Sequence, residues 1–407
     1  MLFDPARHEA LSTIAWDEKR VRATIASIAG DIEARYSAEK YWPCHPLDFE
    51  DGDDPNLPPT SLYFGACGVI WALHYLEVVG AVALTRGYLD ALDVLVQRNR
   101  SWLESSGHRE YASYLSGDVP ILMLAFGDRP NAELEDRLAG LIAGNSEHPA
   151  RELMWGSPGS MLAALFLHER TGQDRWAELF RSTAEKLWTQ LEWSPECACH
   201  YWSQDLHGYR CAYLDGIHGF VATALPLIRG RRLLDVGAWG AWEQCIANTV
   251  ERTATRDGSL VNWRPQLSAA ADPKMLMQYC HGAPGFVICL AEFPGKMLDP
   301  LLLAAGETIW AAGPLIKGSN LCHGTGGNGY AFLKLYRRTG EAKWLNRARA
   351  FAMHAIAQSE AEAKRQGHLR YSLWSGDAGL AIYLWDCVQG TARFPTLDVY
   401  YASRVGI

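Results

Sequence analysis

The 407-residue sequence has no long apolar run. No window approaches 18 uninterrupted apolar residues, so no membrane-spanning helix is expected. It has no surplus of positive charge either. Lys and Arg number 38 against 46 Asp and Glu, a formal net charge of −8, which argues against a nucleic-acid binder working through bulk charge. The N-terminus, MLFDPARHEALST, places Asp4 and Glu9 where a secretory signal needs an apolar core, so no export signal is expected. The zinc-protease HExxH, the phosphate-binding P-loop and a dinucleotide fingerprint set in a βαβ unit are all missing. Alternating β-branched runs are scarce, which leaves helices as the main element. What is there is apolar material. Hydrophobic residues make up 48% and charged residues 21%, which excludes disorder for most of the chain and supplies a large core.

There are ten cysteines, at positions 44, 67, 197, 199, 211, 245, 280, 289, 322 and 387. Without an export signal they are expected to be reduced thiols in a cytoplasmic protein, some of them metal-binding or catalytic.

Apolar positions at helical spacing predict a helix over 8–38, with Leu11, Ile14, Val21, Ile25 and Ile28 on its buried face. The prolines and acidic run of 41–61 predict a solvated loop. This divides the chain into residues 1–61, an N-terminal helix and loop packing on a barrel, and residues 62–407, the barrel itself. From 62 onward one pattern recurs: a Gly-x-x-Gly turn followed by an apolar helical run. The copies are FGACG from Phe64, WGSPG from Trp155, HGFVA from His218, HGAPG from His281, HGTGG from His323 and SGDAG from Ser375. The third copy has Ala222 in place of the second glycine. Amphipathic stretches such as 174–192 and 342–366 lie between copies. Six turn-and-helix units predict an all-α toroid of six helical hairpins. Its inner helices begin at the turns, which gathers the turns at one end.

Two of these turns carry metal-binding chemistry. Cys280-His281-Gly282 and Cys322-His323-Gly324 occupy equivalent repeat positions. If the turns converge, Cys280, Cys322 and His323 offer two thiolates and an imidazole, a set suited to one Zn²⁺ with an open fourth position. Coordination would hold an incoming thiol as thiolate, whereas a free thiol is only a few per cent ionised near neutral pH. A single Cys-His-Gly is explained as well by core packing; the repetition favours a site. The tighter cluster Cys197-Ala198-Cys199-His200 reads as loop and has no matching second pair.

These pieces carry a resemblance. ELMWGSPGS (152–160), YCHGAPG (279–285), LCHGTGG (321–327) and YSLWSGDAG (371–379) resemble the lanthionine synthetase C-like family, and ARFPTLD (392–398) is similar to the tail of its eukaryotic-type branch. The similarity runs from about residue 62 to 398. It implies an (α/α)6 toroid with one zinc held by Cys280, Cys322 and His323. It also implies addition of a thiol to dehydroalanine or dehydrobutyrine, forming a thioether. The thiol is a peptide cysteine in the lanthipeptide cyclases and glutathione in the eukaryotic-type members. His218 resembles the family's catalytic histidine, which protonates the enolate, and His281 is a second candidate. Glu152 matches an acidic residue of the family that would orient a histidine or take the thiol proton. A cap or salt bridge explains it equally well. Glu152 and His281 lean toward the eukaryotic-type branch. Asp215 and Arg370 are candidates for holding substrate; capping and a surface salt bridge are their plainer roles. The implied partners are a peptide or protein bearing the dehydro residue, glutathione, and a separate dehydratase or kinase that generates that residue. Ala222, Ser375 and Cys67 depart from the family pattern.

Two other functions compete. A six-hairpin barrel could process carbohydrate through a carboxylate pair. Alternatively, zinc closed by a fourth protein ligand would only brace a binding protein.

Overall fold

The computed structural model describes residues 1–49, 57–267 and 274–402. Fourteen α-helices dominate these residues, in two concentric layers. The inner layer comprises α2 (Ala66–Val78), α4 (Val119–Asp128), α6 (Ser157–Thr171), α8 (Phe220–Arg229), α10 (Ala283–Leu290), α12 (Thr325–Thr339) and α14 (Asp377–Gln389). Each packs against the next, and α14 returns to α2, so the ring closes. The outer layer comprises α1 (Glu18–Arg35), α3 (Leu92–Ser105), α5 (Ala132–Gly144), α7 (Asp174–Thr189), α9 (Val236–Arg252), α11 (Asp299–Ala312) and α13 (Ala342–Gln366). The layers differ because the sequences do. Every residue of α10 is buried, which suits an element surrounded by protein. α7 buries one stripe, including Trp176, Phe180 and Leu187, and leaves its other face to solvent.

The all-α toroid is thus as expected, with one more inner helix than the six glycine turns suggested. The additional turn is Ser116-Gly117-Asp118, ahead of α4. Pro120 stands there in place of the second glycine, which hid it. Proline is tolerated because the first turn of a helix lacks intrahelical acceptors for its N–H groups.

The seven turns do gather at one end, and backbone hydrogen bonds stitch them together. Tyr63 N donates to Leu115 O (3.0 Å), Leu115 N to Met154 O (3.4 Å) and Leu153 N to Ile217 O (3.2 Å). Cys280 N donates to Cys322 O (3.4 Å), Cys322 N to Trp374 O (2.9 Å) and Trp374 N back to Tyr63 O (3.4 Å). The remaining gap is crossed by the Tyr279 hydroxyl, which donates to Gly216 O at 2.6 Å. Five of the turns also fold back on their own helix, as where Thr325 N donates to Gly318 O at 2.8 Å. At Gly327 a Cβ would lie 1.9 Å from Leu321 O, so the close approach requires glycine.

Three expectations are corrected. Residues 8–17 are not helical: His8 bridges to Leu315, and α1 begins at Glu18, where the Asp17 side chain caps Arg20 N. Leu11 packs against the core as part of this arm, whereas Ile14 is exposed. The described part of 41–61 is not a solvated connection. Tyr41, Trp42 and His45 are buried, and a short 3-10 turn (Pro46–Asp48) docks on the last glycine turn. Two aromatic rings in this stretch outweigh its prolines, since burying such a ring contributes about 2 kcal/mol or more. Its acidic residues 50–56 lie outside the described residues. The segment around Cys197 is a hairpin, β1 (Glu192–Ser194) with β2 (Cys199–Tyr201). β3 (Gln204–Leu206) and β4 (Tyr209–Cys211) form a second hairpin, and β5 (Ala254–Asp257) and β6 (Leu260–Trp263) a third.

Candidate active site

The turns share a local device that the sequence pattern did not reveal. Four residues before each first glycine stands a polar side chain: Ser61, Ser113, Glu152, Asp215, Gln278, Asn320 or Ser372. In five of them its oxygen accepts the backbone N–H three residues on. The bonds run from Phe64 N to Ser61 (3.1 Å), Ser116 N to Ser113 (2.9 Å), Trp155 N to Glu152 (2.6 Å), His218 N to Asp215 (2.8 Å) and His323 N to Asn320 (2.8 Å). This fixes the residue before the glycine, among them His218 and His323, whereas His281 N donates to the Gln278 backbone O at 3.1 Å.

The backbone bond from Cys280 N to Cys322 O joins the turns that carry Cys280, Cys322 and His323. Their ligand atoms all lie within 4.8 Å of one another, and Cys322 Sγ is 3.6 Å from His323 Nε2. Both cysteines are buried. Gln278 Nε2 donates to Cys280 Sγ at 3.0 Å. Burial, then the adjacent Cys322, pushes the Cys280 thiol up. Two buried sulfurs ionise together only beside a compensating cation. The donor set therefore fits zinc, and these three residues could hold it. Cys67 is buried separately in α2.

Two histidine–carboxylate pairs stand on the neighbouring turns. His218 Nδ1 lies 2.8 Å from Glu152 Oε2, and His281 Nδ1 lies 2.8 Å from Asp215 Oδ2. Both carboxylates are fully buried, whereas the two imidazoles are roughly a quarter exposed. Tyr213 lies beside both rings, with centroids at 6.0 and 5.9 Å. Burial opposes charge on His218, but the hydrogen bond and charge of Glu152, helped by Asp215 and Cys280, push it up to about 9. His281 is likewise raised: burial opposes its charge and Asp215 outweighs burial. The charged form of both rings is thus favoured by acids that are themselves tied to backbone N–H groups.

His218 and His323 open on one cavity of about 350 Å³, lined also by Tyr63, Phe64, Trp102 and Trp155. Arg370 is turned to structure: its Nε lies 2.6 Å from Asp48 Oδ1 and its Nη2 donates to Leu47 O at 2.7 Å. Asp215 does more than the capping expected of it, because its second oxygen meets His281 across the turn boundary. Asn320 and Tyr213 were not anticipated. The recurring polar residue four before each glycine was the available signal for Asn320.

The family model for lanthionine synthetase C-like protein matches residues 55–399, most of the chain. The chain belongs to the lanthionine synthetase C-like family. It is 36% identical over 143 residues to glutathione S-transferase LANCL1 of Danio rerio, covering 34% of this chain and 35% of that protein. It is 37% identical over 134 residues to LanC-like protein GCL1 of Arabidopsis thaliana, covering 30% of each. These matched stretches span about a third of each curated relative's length. Nisin cyclase has the same fold, with a TM-score of 0.67 over 94% of this chain and 98% of that one at 14% identity. In this chain the Cys-Cys-His group and the two histidine pairs occupy four consecutive glycine turns. Among the described residues, no helix is long and apolar enough to cross a membrane.

Proposed function

We propose that this family member catalyses addition of a thiol to a dehydroalanine or dehydrobutyrine residue, forming a thioether. One observation carries the reading. A thiolate-and-imidazole donor set and a proton-holding histidine, His218, converge at one end of the ring, and His218 and His323 share one cavity.

Cys280, Cys322 and His323 would hold zinc, which when bound keeps the substrate thiol ionised at neutral pH. The remaining work falls to side chains of this chain. The sulfur adds to the β-carbon, and the carbon–carbon π pair moves onto the α-carbon and its carbonyl. His218 is oriented through Nδ1 by Glu152, which leaves Nε2 to deliver a proton to the α-carbon. The proton lost by the thiol balances the one delivered, so no co-reactant is consumed. His281, whose charged form Asp215 favours, stabilises negative charge developing on the carbonyl oxygen. Glu152 and Asp215 act through their histidines as positioning residues. The aromatic lining suits an apolar peptide segment beside the reacting residue. The dehydro residue would come from a separate dehydratase or kinase acting on the substrate.

The relative named a glutathione S-transferase and the neighbour named a cyclase support the same bond-forming chemistry with different nucleophiles. The test gives the zinc-loaded protein a dehydroalanine peptide, with an internal cysteine or with added glutathione, and follows products by mass spectrometry. A new thioether in either reaction, lost in His218→Ala, supports the reading. No thioether from either nucleophile in zinc-loaded protein overturns it.

A further inference from the structure

A second group of metal-ligating side chains lies beside the mouth of the cavity and belongs to no glycine turn. His108 and Glu110 come from the loop after α3, and His207 comes from the tip of the β3–β4 hairpin. One ligand atom from each lies within 4.8 Å of the others. His108 Nδ1 and His207 Nδ1 are each 3.5 Å from a different oxygen of the Glu110 carboxylate. That spacing exceeds the usual hydrogen-bonded N···O distance of about 2.7–3.2 Å. It is close to the edge of a tetrahedron drawn around a metal with bonds of about 2.0–2.1 Å, roughly 3.3 Å.

The surroundings favour a cation. As metal donors, two imidazoles and one carboxylate bring a charge of −1 to a divalent cation. The imidazole rings approach to 4.5 Å between centroids, and Trp155 packs against both, at 5.0 Å from His108 and 5.4 Å from His207. Glu110 is oriented by the Arg109 N–H, which donates to Oε2 at 2.9 Å. His207 sits in the left-handed region at φ +54°, followed by Gly208 at +88°. A two-residue hairpin turn of this kind usually takes Asn or Gly first. Here the position carries an imidazole that meets Glu110 on a distant loop.

We propose that His108, Glu110 and His207 form a second site for a borderline divalent cation of the Zn²⁺ type, separate from Cys280, Cys322 and His323. Two imidazoles and a carboxylate are the donor set such ions accept. Because His108 and Trp155 also line the cavity, a bound ion clips the β3–β4 hairpin to the loop after α3 at the cavity's edge.

The experiment is metal stoichiometry on the full chain, saturated with Zn²⁺ and freed of excess. Wild type, His207→Asn, Glu110→Gln and Cys322→Ala are measured side by side. Asn keeps the left-handed turn while removing the imidazole. Glu110→Gln tests the same site without touching the hairpin. The expected result is one equivalent fewer in both His207→Asn and Glu110→Gln than in wild type. Cobalt substitution separates the two sites. The thiolate-to-cobalt absorption should persist in His207→Asn and vanish in Cys322→Ala. Equal stoichiometry in wild type and His207→Asn overturns the proposal. So does a loss in His207→Asn that Glu110→Gln does not share. Neither outcome depends on whether the cysteine site fills.

Discussion

The seven turns of the ring share one backbone design and divide by side chain. Those ending at Gly65, Gly117 and Gly376 hold serine four residues before the glycine, and Phe64, Ser116 or Ser375 just before it. Those ending at Gly219, Gly282 and Gly324 hold Asp215, Gln278 or Asn320, and a histidine. The turn ending at Gly156 holds Glu152 and Trp155. Bracing the turn needs one acceptor, and a serine hydroxyl supplies it. A carboxylate supplies a second oxygen. Asp215 Oδ1 accepts from Ile217 N and His218 N, while Oδ2 faces His281. Glu152 accepts from Met154 N and Trp155 N and still reaches His218. Asp215 and Glu152 thus each keep the bond that braces the turn while also reaching a histidine.

The largest effect expected within this comparison is at the metal ligands. Cys322→Ala should lose the zinc of that group and all thioether formation, with the helical content kept; zinc analysis and circular dichroism check it. A zinc content equal to that of wild type in this variant would place the metal of that group elsewhere. Next is His218→Ala, expected to slow product formation about 10²–10⁴-fold while zinc stays bound. The rate and metal content must be measured on the same sample.

Glu152→Gln sharpens the comparison through pH. His218 is raised to about 9, so its proton is held below that pH and lost as pH rises through it. A rate that needs this proton falls across the same window. Removing the Glu152 charge should move the alkaline limb to lower pH, a change that a merely structural role would not produce. Asp215→Ser keeps an acceptor and deletes the second oxygen. It should cost roughly tenfold in rate, the size of one charge-assisted hydrogen bond of about 1.5 kcal/mol, with little loss of Tm. Asp215→Ala, which also strips the turn, should destabilise by about 1–3 kcal/mol. If the two variants are equally unstable, the separation of bracing from chemistry fails. The smallest effect is Ser61→Ala, about 0.5–1.5 kcal/mol in stability and none in rate.

Much of this was legible in the chain itself. The repeated Gly-x-x-Gly turns gave the toroid, because a small residue at fixed spacing before an apolar helix marks a close backbone approach. The paired Cys-His-Gly pointed to Cys280, Cys322 and His323, whose ligand atoms lie within 4.8 Å of one another. The seventh turn was hidden because Pro120 satisfies the same first-turn position by a different route. The arm at 8–17 was misread because apolar spacing alone does not distinguish a helix face from an extended strip docked on other helices.

By itself, then, the sequence determined the helical repeats, the glycine turns and the residue types at their tips. These are local properties, set by periodicity, backbone sterics and donor chemistry within a few residues. Only the tertiary structure decided which tips are neighbours. Asp215 stands 66 positions before His281, and Glu152 66 before His218, yet each pair meets at 2.8 Å. Ring closure sets adjacent turns side by side, and no spacing along the chain encodes that distance. The same closure turned Arg370 to Asp48 and brought His207 to Glu110, contacts that depend on where remote segments pack.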